Sequence, residues 1–226
     1  MPAQEIHPGE PVTVDRYTLG ARLNHWITAI SLIVLALSGL AMFNPGLFFL
    51  TALFGGGQNT RVIHPWIGVV LFFSFLGLFL RFWRFNLWRR QDGIWLARVR
   101  DVLAGQDENL PEVGKYNAGQ KLVFWAMAFL IVVLILSGVV IWDQYFYLFT
   151  TIDQKRIAIL VHAIAAILAI CVWILHVYAA IWVRGTIRGM VRGSVTGGWA
   201  WRHHRKWLRE LVGRNGGPTR PTKPAE

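Results

Sequence analysis

The sequence predicts an all-α membrane protein: a bundle of four transmembrane helices with both termini cytoplasmic and short amphipathic helices on its surface. Two observations predict it. First, 54% of the 226 residues are hydrophobic, and they gather into four uncharged runs, 23–43, 62–80, 122–142 and 157–183, each 19 residues or longer. About 20 residues of helix cross a hydrocarbon core of roughly 30 Å, and in lipid only a backbone that satisfies its own hydrogen bonds is tolerable. Buried helices of a soluble domain rarely stay uncharged around the whole circumference for this length. Second, of the 23 Lys and Arg residues, 20 lie around the start of helix one, between helices two and three, or after helix four. The other two connections hold only Arg61, Lys155 and Arg156. That asymmetry is the positive-inside pattern and puts both termini and the long central loop in the cytoplasm. It also accounts for the net charge of +11 without nucleic acid as a partner.

The elements follow in order. Residues 1–20 read as a polar, proline-bearing cytoplasmic lead-in; residues 21–190 as the membrane domain, with helices at about 22–43, 62–84, 120–142 and 157–183; residues 191–226 as a basic cytoplasmic tail with a disordered end. The first run begins too far from the N-terminus, is too long and lacks a small-residue cleavage site, so it is expected to stay as a helix rather than act as a signal peptide. In "DGIWLARVRDVLAG", Ile94, Leu96, Val99, Val102 and Leu103 form one apolar face, predicting a short helix along the inner membrane surface. "WAWRHHRKWLRELV", 199–212, is a second such candidate. Helix one carries "LALSGLAMF" and helix three "LILSGVVIW", placing Ser38, Gly39, Ser137 and Gly138 at similar depth. A two-fold repeat would explain the echo; small residues at helix contacts explain it more simply.

The single cysteine, Cys171, cannot form an intrachain disulfide, and the absence of C-x-x-C-H excludes a covalently attached c-type haem. Cysteine-held iron–sulfur clusters within the chain are excluded too. Four histidines, His25, His64, His162 and His176, belong to the apolar runs. An ionisable group in a spanning helix is expensive and points to function. With cytoplasmic termini they sort by depth into His64 with His162 outside and His25 with His176 inside. The 14 residues from His162 to His176 give about 21 Å of rise and nearly four turns, so both imidazoles share one face. Two imidazoles per level suit the two axial positions of a haem iron, and helix four contributes to both levels. One turn after each histidine stands a small residue, Ala29, Gly68, Ala166 or Ala180, which clears space for a porphyrin edge. Zinc or copper would want all its ligands at one depth. His7, His203 and His204 read as solvated surface. Arg22 and Arg61, each three residues before a histidine, suit either haem propionates or interfacial anchoring. "EVGKYNAGQKLVFW", 112–125, suits either a quinone head group, through the amides of Asn117 and Gln120, or a plain turn leading into a helix.

The chain resembles the membrane cytochrome b (gamma) subunit of respiratory formate dehydrogenase over roughly residues 15–210. The resemblance rests on "NHW" at 24–26, "RVIHPWIG" at 61–68, "GKYNAGQK" at 114–121, "LSGVVIW" at 136–142, "VHAIAA" at 161–166, "LHVYAAIWVRGTIRGM" at 175–190 and "WRHHRKW" at 201–207. It departs before His25, where "GARLNHW" lacks an expected acidic residue, and in the proline-bearing C-terminus. The resemblance implies two non-covalent b-type haems with axial ligands at His64 and His162 (outer) and His25 and His176 (inner). It implies a quinone site at Asn117, Gly119 and Gln120 beside His176. The implied partners are an iron–sulfur (beta) subunit and a molybdenum- or tungsten-pterin catalytic (alpha) subunit, in the bacterial inner membrane. The chain itself would then not act on formate, but carry electrons across the membrane to quinone. The alternatives are the cytochrome b anchor of a hydrogenase or another periplasmic oxidoreductase, and a haem-free membrane anchor.

Overall fold

The computed structural model describes residues 12–106 and 110–214. Most of the lead-in, including His7, and the end of the tail therefore lie outside the described residues. In chain order the elements are β1 (Thr13–Asp15), α1 (Leu19–Phe43), a 3-10 stretch (Pro45–Phe54), α2 (Gly57–Phe82) with a 3-10 extension (Trp83–Asn86), α3 (Arg90–Ala97), α4 (Val99–Leu103), α5 (Ala118–Ile141), α6 (Asp143–Phe146), a 3-10 turn (Tyr147–Phe149), α7 (Ile152–Trp182), α8 (Thr186–Arg192), β2 (Ser194–Thr196), α9 (Gly197–His203) and α10 (Arg205–Arg214). The chain divides into two compact units. One comprises Leu19–Leu87 and Gly119–Val183; the other comprises Trp88–Ala118 with the chain up to Thr18 and from Arg184 onward.

The first unit holds the four helices long and apolar enough to cross a membrane: α1, α2 with its extension, α5 and α7. At the starts of α7 and α2, local signals carry the helix beyond the uncharged stretch. At the start of α7, the Thr151 hydroxyl accepts from the Gln154 amide (3.3 Å) and the Gln154 side chain accepts from the Thr151 amide (2.8 Å), a capping box. Helix α2 starts directly after Gly55 and Gly56, whose φ values of 81° and 99° suit glycine alone among common residues.

All four helices meet where Leu32, Leu71 and Ile131 are buried, with Leu35, Phe75, Met127, Ile135 and Trp173 packed around them. Helix α5 approaches α7 through Leu130 against Ala165 and Ala169, small residues that let the backbones come close. Helix α1 is tied to α2 by polar groups. The Ser74 hydroxyl donates to Asn24 Oδ1 (2.7 Å) and lies 2.8 Å from the Thr28 hydroxyl. Opposite them, a Cβ on Gly77 would fall 2.8 Å from Asn24 Nδ2, so glycine is what admits the amide. Helix α2 also meets α5 and the residue just after it through aromatic rings. Phe79 stacks on Phe124 at 5.6 Å, and Trp66 meets Trp142 edge-on at 5.3 Å. Much of the remaining apolar surface of these helices is exposed, as a lipid-facing surface must be.

In the second unit, β1 and β2 pair antiparallel in the register Thr13–Thr196, Val14–Val195 and Asp15–Ser194. The segment expected as a lead-in thus contributes a short strand at Thr13–Asp15 that pairs with the tail. The amphipathic helix expected over 94–103 is two helices, broken at Arg98 (φ −105°, ψ 24°). Its inward face is Trp95 with Leu96 and Val102, packed on Val113, Leu110 and Ala118, while Ile94, Val99 and Leu103 stay exposed. The helix expected over 199–212 is likewise two, α9 and α10, separated at His204 (φ −143°, ψ 46°).

Candidate functional site

Four histidines of the first unit come together in two pairs. His64, seven residues into α2, faces His162 of α7 with ring centroids 6.3 Å apart. His25, near the start of α1, faces His176, near the end of α7, also at 6.3 Å. Rings at this separation are too distant to hydrogen-bond each other. Two metal–imidazole bonds of about 2 Å, extended by two ring radii of about 1.1 Å, span about the same length. The spacing of each pair would admit one metal ion between its two rings.

The protonation of the 64/162 pair is set by its neighbours. Ser38 of α1 places its hydroxyl 2.7 Å from His64 Nδ1 and donates its proton to the Val34 carbonyl at 2.7 Å. Ser137 of α5 repeats this on His162: 2.9 Å to Nδ1, with the proton donated to the Val133 carbonyl at 2.6 Å. A hydroxyl has one proton to give, so each serine accepts from an Nδ1–H and leaves the Nε2 lone pair of the imidazole free, the kind of atom a metal ion would take. The echoed "LSG" segments therefore touch the histidines, a role that their reading as plain helix contacts missed.

The surroundings fit a porphyrin better than a bare ion. Among the described residues, no cluster of three or more His, Cys, Asp or Glu gathers to hold a metal, so a zinc or copper ion would find only half its usual ligands at either level. A haem iron needs only two from the protein. One turn after His64, a Cβ on Gly68 would meet nothing within 4 Å, so open space adjoins this imidazole. Arg22 is half-buried, with Nε unpartnered among the described residues; Arg61 is exposed. Asn117, half-buried, immediately precedes α5, and Gly119 and Gln120 lie in its first turn.

Residues 16–193 match the prokaryotic cytochrome b561 family. The chain belongs to that family. This cytochrome is a multi-pass membrane electron-transfer subunit and carries b-type haem. It is 44% identical over 199 residues to the formate dehydrogenase cytochrome b556(fdo) subunit of Escherichia coli K12, covering 88% of this chain and 93% of that one. It is 40% identical over 190 residues to the nitrate-inducible formate dehydrogenase cytochrome b556(Fdn) subunit of the same organism, covering 84% and 88% of the two chains. The formate dehydrogenase cytochrome b556 subunit of Haemophilus influenzae is 39% identical over 208 residues, covering 92% and 87%.

The second unit of the cytochrome holds a polar cluster that sequence reasoning missed. His204, expected on the surface, is 1% exposed, and its neighbour His203 is half-buried. His204 Nδ1 donates to the Gly114 carbonyl (2.8 Å), and Nε2 lies 3.4 Å from Arg16 Nη2. Arg16, itself buried, donates from Nη2 to the Lys115 carbonyl at 2.6 Å. Its guanidinium carbon lies 4.9 Å from the centroids of both Trp199 and Trp207, so aromatic faces, rather than a carboxylate, accommodate its charge. Glu112 is held by Arg209 at 2.9 Å. The loop over residues 112–115 is thereby fastened from three sides, by the strand side of the N-terminus, by α10 and by the residue between α9 and α10. Burial, then the Arg16 charge, pushes the His204 pKa from its usual 6.5 down to about 3. Burial also lowers Lys115, with Arg16 adding to it, and raises the Tyr116 hydroxyl, beside Tyr17.

Proposed function

We propose that this chain is the dihaem membrane anchor of a formate dehydrogenase complex and carries electrons from an iron–sulfur subunit to quinone. The observation that carries the reading is the pair of histidine couples, each with centroids 6.3 Å apart, at two depths of one helix bundle. His64 and His162 would hold one b-type haem and His25 and His176 the other. Bound there, the haems supply one-electron redox couples. The chain's own residues do the rest. Helix α7 supplies one ligand at each level, so a single rigid rod fixes the separation of the levels. The apolar walls of α1, α2, α5 and α7 exclude water from the path. Arg22 and Arg61 would neutralise propionates, and the unpartnered Nε of Arg22 favours that role for Arg22.

Asn117, Gly119 and Gln120 would form the quinone site, the two amides giving hydrogen bonds to the carbonyls of the head group and the glycine allowing close approach. Names of the relatives support the partner assignment: all three are formate dehydrogenase subunits. The catalytic subunit would carry a molybdenum or tungsten pterin. The distribution of Lys and Arg supports an inner-membrane orientation with cytoplasmic termini. Electrons moving inward against a negative-inside potential store about 2.3 kcal/mol per charge per 100 mV.

Spectroscopy of the purified chain tests the reading. Wild type should hold two b-type haems, and His64→Ala should lose one while the other keeps its spectrum. Equal loss of both signals would reject the pairing by level, and a single haem in wild type would reject the dihaem anchor.

A further inference from the structure

Behind each imidazole of the 64/162 level stands a serine followed by a glycine, supplied by a different helix: Ser38 and Gly39 of α1 behind His64, Ser137 and Gly138 of α5 behind His162. The two seats are alike in detail. Both serines are buried, both hydroxyls donate to the carbonyl four residues back, and both accept from Nδ1. A Cβ on either glycine would fall 3.4 Å from Cε1 of the imidazole, so the glycine lets the ring sit close enough to reach the serine. At the other level nothing equivalent exists among the described residues: His25 Nδ1 is buried without a hydrogen-bond partner.

We infer that Ser38 and Ser137 are positioning residues that lock His64 and His162 as Nδ1–H tautomers with Nε2 presented to iron, and that they hold this level at a lower reduction potential than the 25/176 level. The inference rests on the proposed dihaem reading. An acceptor on Nδ1–H makes the imidazole a stronger electron donor through Nε2. A stronger donor favours ferric over ferrous iron, and hydrogen bonding around the ligands is among the protein's levers on haem potential. Two such seats act on one level and none of this kind on the other. The two seats therefore bias transfer from the 64/162 level toward the 25/176 level.

The test is a redox titration of the b-type absorption of the full chain in Ser38→Ala, Ser137→Ala and the double variant, with His64→Ala assigning which couple belongs to which level. Each alanine should raise the 64/162 couple, the double variant by about tenfold in its reduction equilibrium, equivalent to 59 mV for one electron, while the other couple stays in place. Threonine at the same positions, which keeps the hydroxyl, should restore the wild-type potential. Haem content intact with neither couple moved, or both couples moved equally, would overturn the inference. If alanine removes the haem at this level altogether, threonine decides: recovery of haem and potential upholds the role of the hydroxyl, and failure to recover rejects it. Failure of the dihaem reading is separate, since it would show in the wild type as a single haem.

Discussion

At position 204 an imidazole lies within the basic run "WRHHRKW" and yet is sealed beneath Trp199 and against Trp207. Its flanks, Arg202 and Arg205, carry the same composition as a solvated face, so nothing local distinguishes it from one; the ring is inward because the helix breaks there. The arrangement demands neutral imidazole, since Nδ1–H serves the Gly114 carbonyl and Nε2 faces the Arg16 guanidinium. A folded-state pKa near 3 against an ordinary 6.5 means that the unfolded chain binds the extra proton first. The stability from this site is full above about 6.5 and is lost as pH falls toward about 3. Arg16 and His203 are the charged or titratable groups that push it down. Tryptophan fluorescence of the cytochrome in detergent should report loosening around Trp199 and Trp207 between pH 7 and 4, and His204→Gln should flatten that dependence. An unchanged pH profile in the variant would show that His204 is not its source. Ser38 and Ser137 are the opposite case: visible in the sequence as an echo, but mute as to purpose, since small residues in membrane helices usually serve close packing.

Element boundaries depended on signals of different strength. The uncharged runs marked the spanning helices within a few residues, because the bilayer imposes length and composition on one contiguous segment. The extra turns of α7 and α2 came from a capping box and from left-handed glycines at the junction before α2, and the breaks at Arg98 and His204 interrupt sequences whose apolar spacing reads as continuous. Contacts between helices were less legible than the helices themselves. Ala169, 1% exposed, is one alanine of many in α7 until α5 is laid against it. Ala169→Leu should wedge that seam and cost about 1–3 kcal/mol, read as a lower thermal midpoint in detergent. A variant as stable as wild type would show that α5 and α7 have slack at this point.

For the whole molecule, the asymmetry of Lys and Arg is the main guide to orientation. Leu103, the last residue of α4, and Leu148, after α6, are both exposed and belong to connections on opposite sides by that rule. In a Cys171→Ala background, Leu148→Cys should react with a membrane-impermeant thiol reagent added to intact cells, and Leu103→Cys only after the membrane is opened. The reverse pattern would invert the orientation, and with it the assignment of the two histidine levels to the two faces.

Four spanning helices and two histidine couples matched by depth were determined by sequence alone, because in a membrane depth is read by counting residues along each helix from a common boundary. Tertiary structure decided what stands behind and between those groups: the hydroxyls on His64 and His162, the glycines that admit them, and the Arg16–His204 anchorage of the loop over residues 112–115. Each of these joins residues far apart in the chain or on different helices. Rotation of one helix against another and closure of distant segments leave no period in a single sequence, so only the folded chain displays them.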